Sequence, residues 1–225
     1  MLHKASRIRG VTVRAADGDV GHVEEFYFDD HLWTIRYLVV DTGSWLMHRR
    51  VLIPPISIEP TWSFAGLQST LTKEQIQHSP EVESHPTMSR QDETRVLGHY
   101  GYPSYWEDGA EPGSAAAEPS HVKPGDEHLC GTKDITGYHL QASDGEIGHV
   151  DDVLIDGNWK IRYLVVDTSN WIGGKSVVIS PTALHGIDWS QSKMQVDLTR
   201  EAIRESPSFD SIEIAPGEGV RIWLM

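Results

Sequence analysis

One phrase occurs twice in the chain, and it constrains the fold more than any other feature. DGDVGHVEEFYFDD runs from Asp17 to Asp30, and DGEIGHVDDVLIDG runs from Asp144 to Gly157. Asp17, Gly21, His22 and Val23 recur as Asp144, Gly148, His149 and Val150 at a shift of 127. The register then slips to 126, where WTIRYLVVDTGSW (Trp33 to Trp45) matches WKIRYLVVDTSNW (Trp159 to Trp171), so Leu32 is one extra residue in the first turn. It returns to 127 for LTKEQIQHSP (Leu71 to Pro80) against LTREAIRESP (Leu198 to Pro207). About 70 residues recur per copy, a domain-sized unit rather than a solenoid repeat.

Each copy has the local chemistry of short antiparallel strands joined by tight turns. Asp17-Gly18 and Asp144-Gly145 are turn dipeptides, because glycine accepts the positive φ that hairpin turns demand. Asp156-Gly157-Asn158 turns the next hairpin of the second copy. IRYLVVDT is apolar at successive positions, so both faces of that strand need cover, one from the copy's own core and one from elsewhere, the other copy being the obvious source. MQVDLT alternates, with Met194, Val196 and Leu198 on one face. Thr72 and Thr199 are placed to cap short helices that Pro80 and Pro207 stop. The expected fold is mainly β: two small antiparallel barrels of five or six strands, related by duplication, each followed by a short helix.

The implied domains are a first repeat at 1–82, a helical and aromatic extension at 83–106, a flexible acidic linker at 107–130, and a second repeat at 131–225 ending in a strand-like tail, GVRIWLM. SRQDETRVLG begins as a capped helix and is expected to end at Gly98; HYGYPSYW follows it and has no counterpart in the second copy. EDGAEPGSAAAEPSHVKPGDEH offers almost nothing to bury, the composition of a linker.

Charge and composition exclude several functions. Lys and Arg number 19 against 33 Asp and Glu, a formal charge of -14 that repels phosphate backbones, so no nucleic-acid partner is expected. The apolar runs, YLVV among them, fall far short of the roughly 20 residues that cross a bilayer. A single cysteine, Cys130, forms no internal disulfide, and with no secretory pattern at the start this favours the cytoplasm. The spaced glycines Gly18, Gly21, Gly145 and Gly148 are followed by no G-K-[ST], so they read as turn and bulge rather than a phosphate loop, and no cofactor is expected.

The DG turn followed by VGHVEEFYFDD or IGHVDDVLIDG, and then IRYLVVDT, resembles the PRC-barrel domain, here in tandem. That family takes its name from the cytoplasmic domain of the photosynthetic reaction-centre H subunit and includes the C-terminal domain of a ribosome maturation factor. The resemblance covers about Leu2 to Pro80 and Gly131 to Pro207. It implies a binding or assembly module with no catalytic residues. It also leaves open an H-subunit-like component of an electron-transfer complex. Homodimerisation is plausible, since two pseudo-symmetric copies offer self-complementary surface.

Candidate site residues follow from the repeat. His22 with Glu24, and His149 with Asp151, are pairs two apart on a strand, which share a face, and imidazole with carboxylate suits a divalent metal such as zinc. That would make the chain a metal binder or metal-dependent enzyme. Arg36 and Arg162 lie inside apolar strands with Asp41 and Asp167 five residues on, a structural pairing of charge. Trp45 and Trp171 close the same motif and read as packing or interface anchors, while Tyr102 and Trp106 of the aromatic segment would dock on their own barrel or on a partner.

Overall fold

The computed structural model describes residues 2–60, 66–80, 87–106, 127–169 and 176–206. The chain begins with β1 (Leu2–Lys4) and α1 (Ala5–Ile8), then β2 (Thr12–Ala15), β3 (Gly18–Asp29), β4 (Thr34–Asp41), β5 (Arg50–Ile53), β6 (Leu67–Gln68) and α2 (Lys73–Gln77). β7 (Thr87–Ser89), α3 (Arg90–Tyr100) and β8 (Glu127–Gly131) follow. The second copy supplies β9 (His139–Ala142), β10 (Gly145–Asp156), β11 (Ile161–Asp167), β12 (Ser176–Ile179), β13 (Leu184–Asp188), β14 (Lys193–Val196) and α4 (Arg200–Glu205).

Among the described residues the protein is mainly β, in two seven-stranded sheets. One runs β5, β4, β3, β2, β6, with β8 on β3 and β7 on β8; the other runs β12, β11, β10, β9, β14, β13, with β1 on β10. Neither path closes on itself among the described residues, so the expected barrels are open sheets there. Nor is the pairing wholly antiparallel: β2 with β6 and β9 with β14 run parallel. Parallel neighbours need a long connection, and the intervening strands of each copy supply it.

The chain forms two compact units, and neither is continuous in sequence. The repeat-1 unit comprises Val11–Asp30 and Arg36–Cys130; the repeat-2 unit comprises Met1–Gly10, His31–Ile35 and Gly131–Met225. In the repeat-2 unit β1 lies antiparallel on β10, with Leu2 opposite Asp156 and Lys4 opposite Leu154. The Ser6 amide and hydroxyl donate to the buried Asp152 carboxylate, and Lys4 Nζ lies 3.9 Å from Asp151. In the repeat-1 unit β8 lies on β3, with Met88 of β7 opposite Leu129. At the shift of 127, Leu2 is the equivalent of Leu129 and Gly10 of Gly137. The leading strand of each copy therefore completes the sheet of the other copy.

The repeated glycines have a steric reason. An ideal Cβ at Gly21 would stand 1.9 Å from the Asp41 carbonyl oxygen, and one at Gly148 2.2 Å from that of Asp167. Both follow a bulge: Val13 faces Gly21 while Arg14 faces Asp19, and Leu140 faces Gly148 while Gln141 faces Glu146, leaving Val20 and Ile147 as the extra residues. Those two side chains are buried in their own units.

Helix ends follow the local sequence. Thr72 accepts from the Gln75 amide while Gln75 Oε1 accepts from the Thr72 amide, a capping box, and Thr199 accepts from the Ala202 amide. Ser89 caps α3 by accepting from the Asp92 amide. That helix does not end at Gly98; it continues to Tyr100 and closes at Gly101, φ +74, with Tyr102 N–H donating to the Leu97 carbonyl. One glycine in a helix is tolerated, and the left-handed cap is what terminates it. Of the stretch read as linker, 127–130 is strand β8 and the rest lies outside the described residues, as do Trp171 and the GVRIWLM tail.

Candidate functional site

The second strand of each hairpin carries an Arg-Tyr pair: Arg36-Tyr37 on β4 and Arg162-Tyr163 on β11. Successive residues on a regular strand point to opposite faces. In the repeat-2 unit the ladder slips here, with Leu154 opposite Tyr163 and Ile155 opposite Ile161, so Arg162 is the extra residue of a bulge. Its guanidinium turns to Asp156, Nε donating to Oδ2 at 2.6 Å. Asp156 lies two residues beyond Leu154, on the face where Tyr163 packs against Leu2, Leu154, Val165 and Val178. The bulge thus brings the cation and the phenol onto one side.

The carboxylate that meets each arginine lies across the hairpin, not five residues along the strand. Arg36 Nη2 is 3.6 Å from Asp29, the counterpart of Asp156. Five residues of strand span about 16 Å, beyond the reach of an arginine side chain. Asp41 instead accepts from the Gly43 amide at 2.8 Å and faces His48 at 3.3 Å, which hold its carboxyl below the usual range. Asp167 accepts from the Ser169 amide at 2.7 Å and is lowered in the same way.

What surrounds the two pairs differs. In the repeat-1 unit α3 buries Glu93, Val96, Leu97 and Tyr100, spaced as one helical face, with the Glu93 side chain 0 % exposed. Tyr105 donates its hydroxyl hydrogen to Glu93 Oε2 at 2.7 Å, and Arg90 Nη1 donates to Glu93 Oε1 at 3.3 Å. The Arg36 guanidinium stands 3.7 Å from the Tyr105 ring centroid, and that of Arg90 stands 4.1 Å from the Trp106 ring. Taking a carboxylate out of water is costly unless cations and donors compensate, and here they do. Burial, then the neighbouring Glu93 charge, pushes the phenols of Tyr37 and Tyr105 far above the ordinary tyrosine range, so both stay protonated. Burial likewise raises Tyr100, to about 12.

Among the described residues the repeat-2 unit has the pair without that cover. The Arg162 side chain is 47 % exposed against 9 % for Arg36, and Tyr163 is half-buried where Tyr37 is 0 % exposed.

The other sequence candidates occupy separate settings. Thr12 Oγ1 lies 3.4 Å from His22 Nδ1, and Glu24 is held by Arg50 at 2.7 Å. His149 Nε2 lies 3.9 Å from Asp167, and Asp151 faces Lys4. A metal at either pair would have to draw its carboxylate from a cation. The one group of three potential ligands close together among the described residues is the sequential run Asp29, Asp30 and His31, where Arg36 already faces Asp29. Trp45 donates its indole N–H to the Val20 carbonyl and stacks under Lys73 Nζ at 4.3 Å, which makes it a packing residue of the repeat-1 unit. Tyr102 and Trp106 lie half-buried on that same unit. Glu93 was the residue least visible in sequence, sitting in the polar run RQDETR; its spacing of three, four and seven from Val96, Leu97 and Tyr100 is the signal that marks it.

The sequence matches the PRC-barrel domain model over residues 2–60 and 133–203, together more than half of the chain. The chain belongs to the PRC-barrel family. Both matched segments contain the glycine turn, the bulge and the Arg-Tyr strand described above, so the tandem organisation rests on the same residues that shape the two sheets. No curated protein matches the sequence. PRC-barrel domains generally serve as protein-interaction modules. No helix among the described residues is long and apolar enough to cross a membrane.

Proposed function

We propose that the chain is a non-catalytic protein-binding module, an adaptor or assembly factor that presents two PRC-barrel units to other proteins. The observation that carries this reading is the occurrence of the interaction-module family twice in one chain. Its support is the unequal treatment of the duplicated Arg-Tyr surface, covered in one unit and open in the other. Duplication supplies two chemically similar surfaces; the α3 extension closes one, and among the described residues the other keeps its arginine half exposed. The local devices of the repeat-2 surface, a bulge that aligns a cation with a phenol and a carboxylate that orients the cation, preorganise it for recognition.

The test is capture followed by reconstitution. The tagged full chain is cross-linked in its own cells, enriched proteins are identified by quantitative mass spectrometry, and the most enriched foreign protein is purified and titrated against the purified chain. Saturable binding at micromolar or tighter dissociation constant is the expected result. Enrichment of the chain alone, with no foreign protein that reconstitutes, would overturn the proposal.

A further inference from the structure

The repeat-1 unit displays, within the molecule, the chemistry that satisfies an Arg-Tyr surface of this design. Its occupant is α3 with the segment after it. That occupant brings a carboxylate, Glu93, beside the phenol of Tyr37, and an aromatic ring, Tyr105, onto the guanidinium of Arg36. Tyr105 and Glu93 are themselves joined by a hydrogen bond at 2.7 Å, which links ring and carboxylate. In the repeat-2 unit the receptor half is repeated: Arg162 for Arg36, Tyr163 for Tyr37, Asp156 for Asp29. There Arg162 stands half in solvent and Tyr163 is only partly buried, over a patch of Leu2, Leu154, Val165 and Val178.

We propose that the Arg162 and Tyr163 surface of the repeat-2 unit is the docking site for a segment of a partner protein that carries a carboxylate and an aromatic ring in the arrangement of Glu93 and Tyr105. The chemistry of the guanidinium favours this occupant: it attracts the face of an aromatic ring, as Arg36 holds that of Tyr105, and planar stacking suits arginine better than lysine. The neighbouring Tyr163 adds an apolar ring with a polar tip, the residue type that anchors interfaces. Asp156 fixes the guanidinium through its Nε, and the two Nη groups carry the remaining donors. The proposal rests on the protein-binding reading above and names the surface and chemistry through which it acts.

The probe is a synthetic peptide with the chain's own sequence from Thr87 to Trp106, titrated calorimetrically into the purified full chain. Saturable binding is expected, weakened about tenfold or more by Arg162→Gln and unchanged by Arg36→Gln, with Tyr163→Ala as a second variant should Arg162→Gln misfold. A peptide with Glu93→Gln and Tyr105→Ala should lose the binding. No binding by the wild-type peptide overturns the proposal; so does binding lost with Arg36→Gln instead, which would mean that the peptide displaces α3 from its own unit. Concentration-dependent self-association lost in Arg162→Gln would make a second copy the occupant and would overturn it as well. If a captured foreign protein binds wild type and Arg162→Gln equally, the surface is wrong while the protein-binding function stands.

Discussion

Gly21→Ala offers a quantitative test of the hairpin geometry, because the same substitution elsewhere in the protein should act in the opposite direction. A Cβ at Gly21 would meet the Asp41 carbonyl oxygen at 1.9 Å, and real Cβ contacts essentially never fall below 3.0 Å. The obstacle is backbone of the adjoining strand rather than the end of a flexible side chain, so β3 and β4 must part by at least about 1 Å at a point where Val20, Val23 and Val40 are all buried. Overpacking a well-filled core typically costs about 1–3 kcal/mol, and a backbone obstacle places this case at the upper end, about 3 kcal/mol. For a chain of this length that lowers the melting midpoint by about 6–12 °C. Gly98→Ala is the control. Gly98 lies on the exposed side of α3 with no atom within 4 Å of an ideal Cβ, so alanine there removes unfolded-state freedom and should stabilise by about 0.5–1 kcal/mol. Both variants are followed by circular dichroism during thermal and urea unfolding. A Gly21→Ala protein within about 1 kcal/mol of wild type would refute the close-approach reasoning.

Three further outcomes follow from the charges. Tyr105→Phe strips a donor from the buried Glu93 carboxylate and should cost about 1–3 kcal/mol in urea unfolding, whereas Tyr102→Phe should leave the midpoint nearly unchanged. Burial lowers the pKa of His3 in β1, so the folded state keeps the imidazole neutral while the unfolded chain binds a proton below about pH 6.5. Stability contributed by this group is complete above that pH and is lost on acidification toward the lowered folded value; between pH 7 and 5.5 the melting midpoint should fall less in His3→Gln than in wild type. Since Glu24 and Asp151 already face Arg50 and Lys4, the purified protein is expected to carry less than one equivalent of zinc by plasma mass spectrometry, with His22→Ala and His149→Ala making no difference; stoichiometric metal lost in those variants would restore the metal reading.

Much of the fold is legible in the sequence because turns and caps are local. The DG dipeptides, Gly21 and Gly148, and Thr72 and Thr199 occupy the positions that their chemistry demands. The exchange of leading strands is not legible. LHK and EHLCG have the same strand signal whichever sheet receives them, and only the pairing of β1 with β10, and of β8 with β3, decides. The end of α3 was misplaced because Gly98 and Gly101 look alike in sequence, while the left-handed conformation sits at Gly101. The partner of Arg36 was misplaced for a related reason: proximity in sequence suggested Asp41, but the hairpin brings Asp29 alongside. Of the proposed docking surface the sequence marks Arg162, as a structural residue, and does not mark Tyr163. Arg162 and Tyr163 alternate in sequence, and only the bulge turns them to the same side.

The most direct measurement of the account's central claim, that this is a protein-binding chain whose open surface lies in the repeat-2 unit, is photo-cross-linking in living cells with a benzophenone amino acid at position 163. The same residue at position 56, where the isoleucine it replaces is 67 % exposed, serves as the control. The account predicts a defined foreign protein attached at 163 and absent at 56. Equal attachment at the two positions, or none at 163, would contradict it.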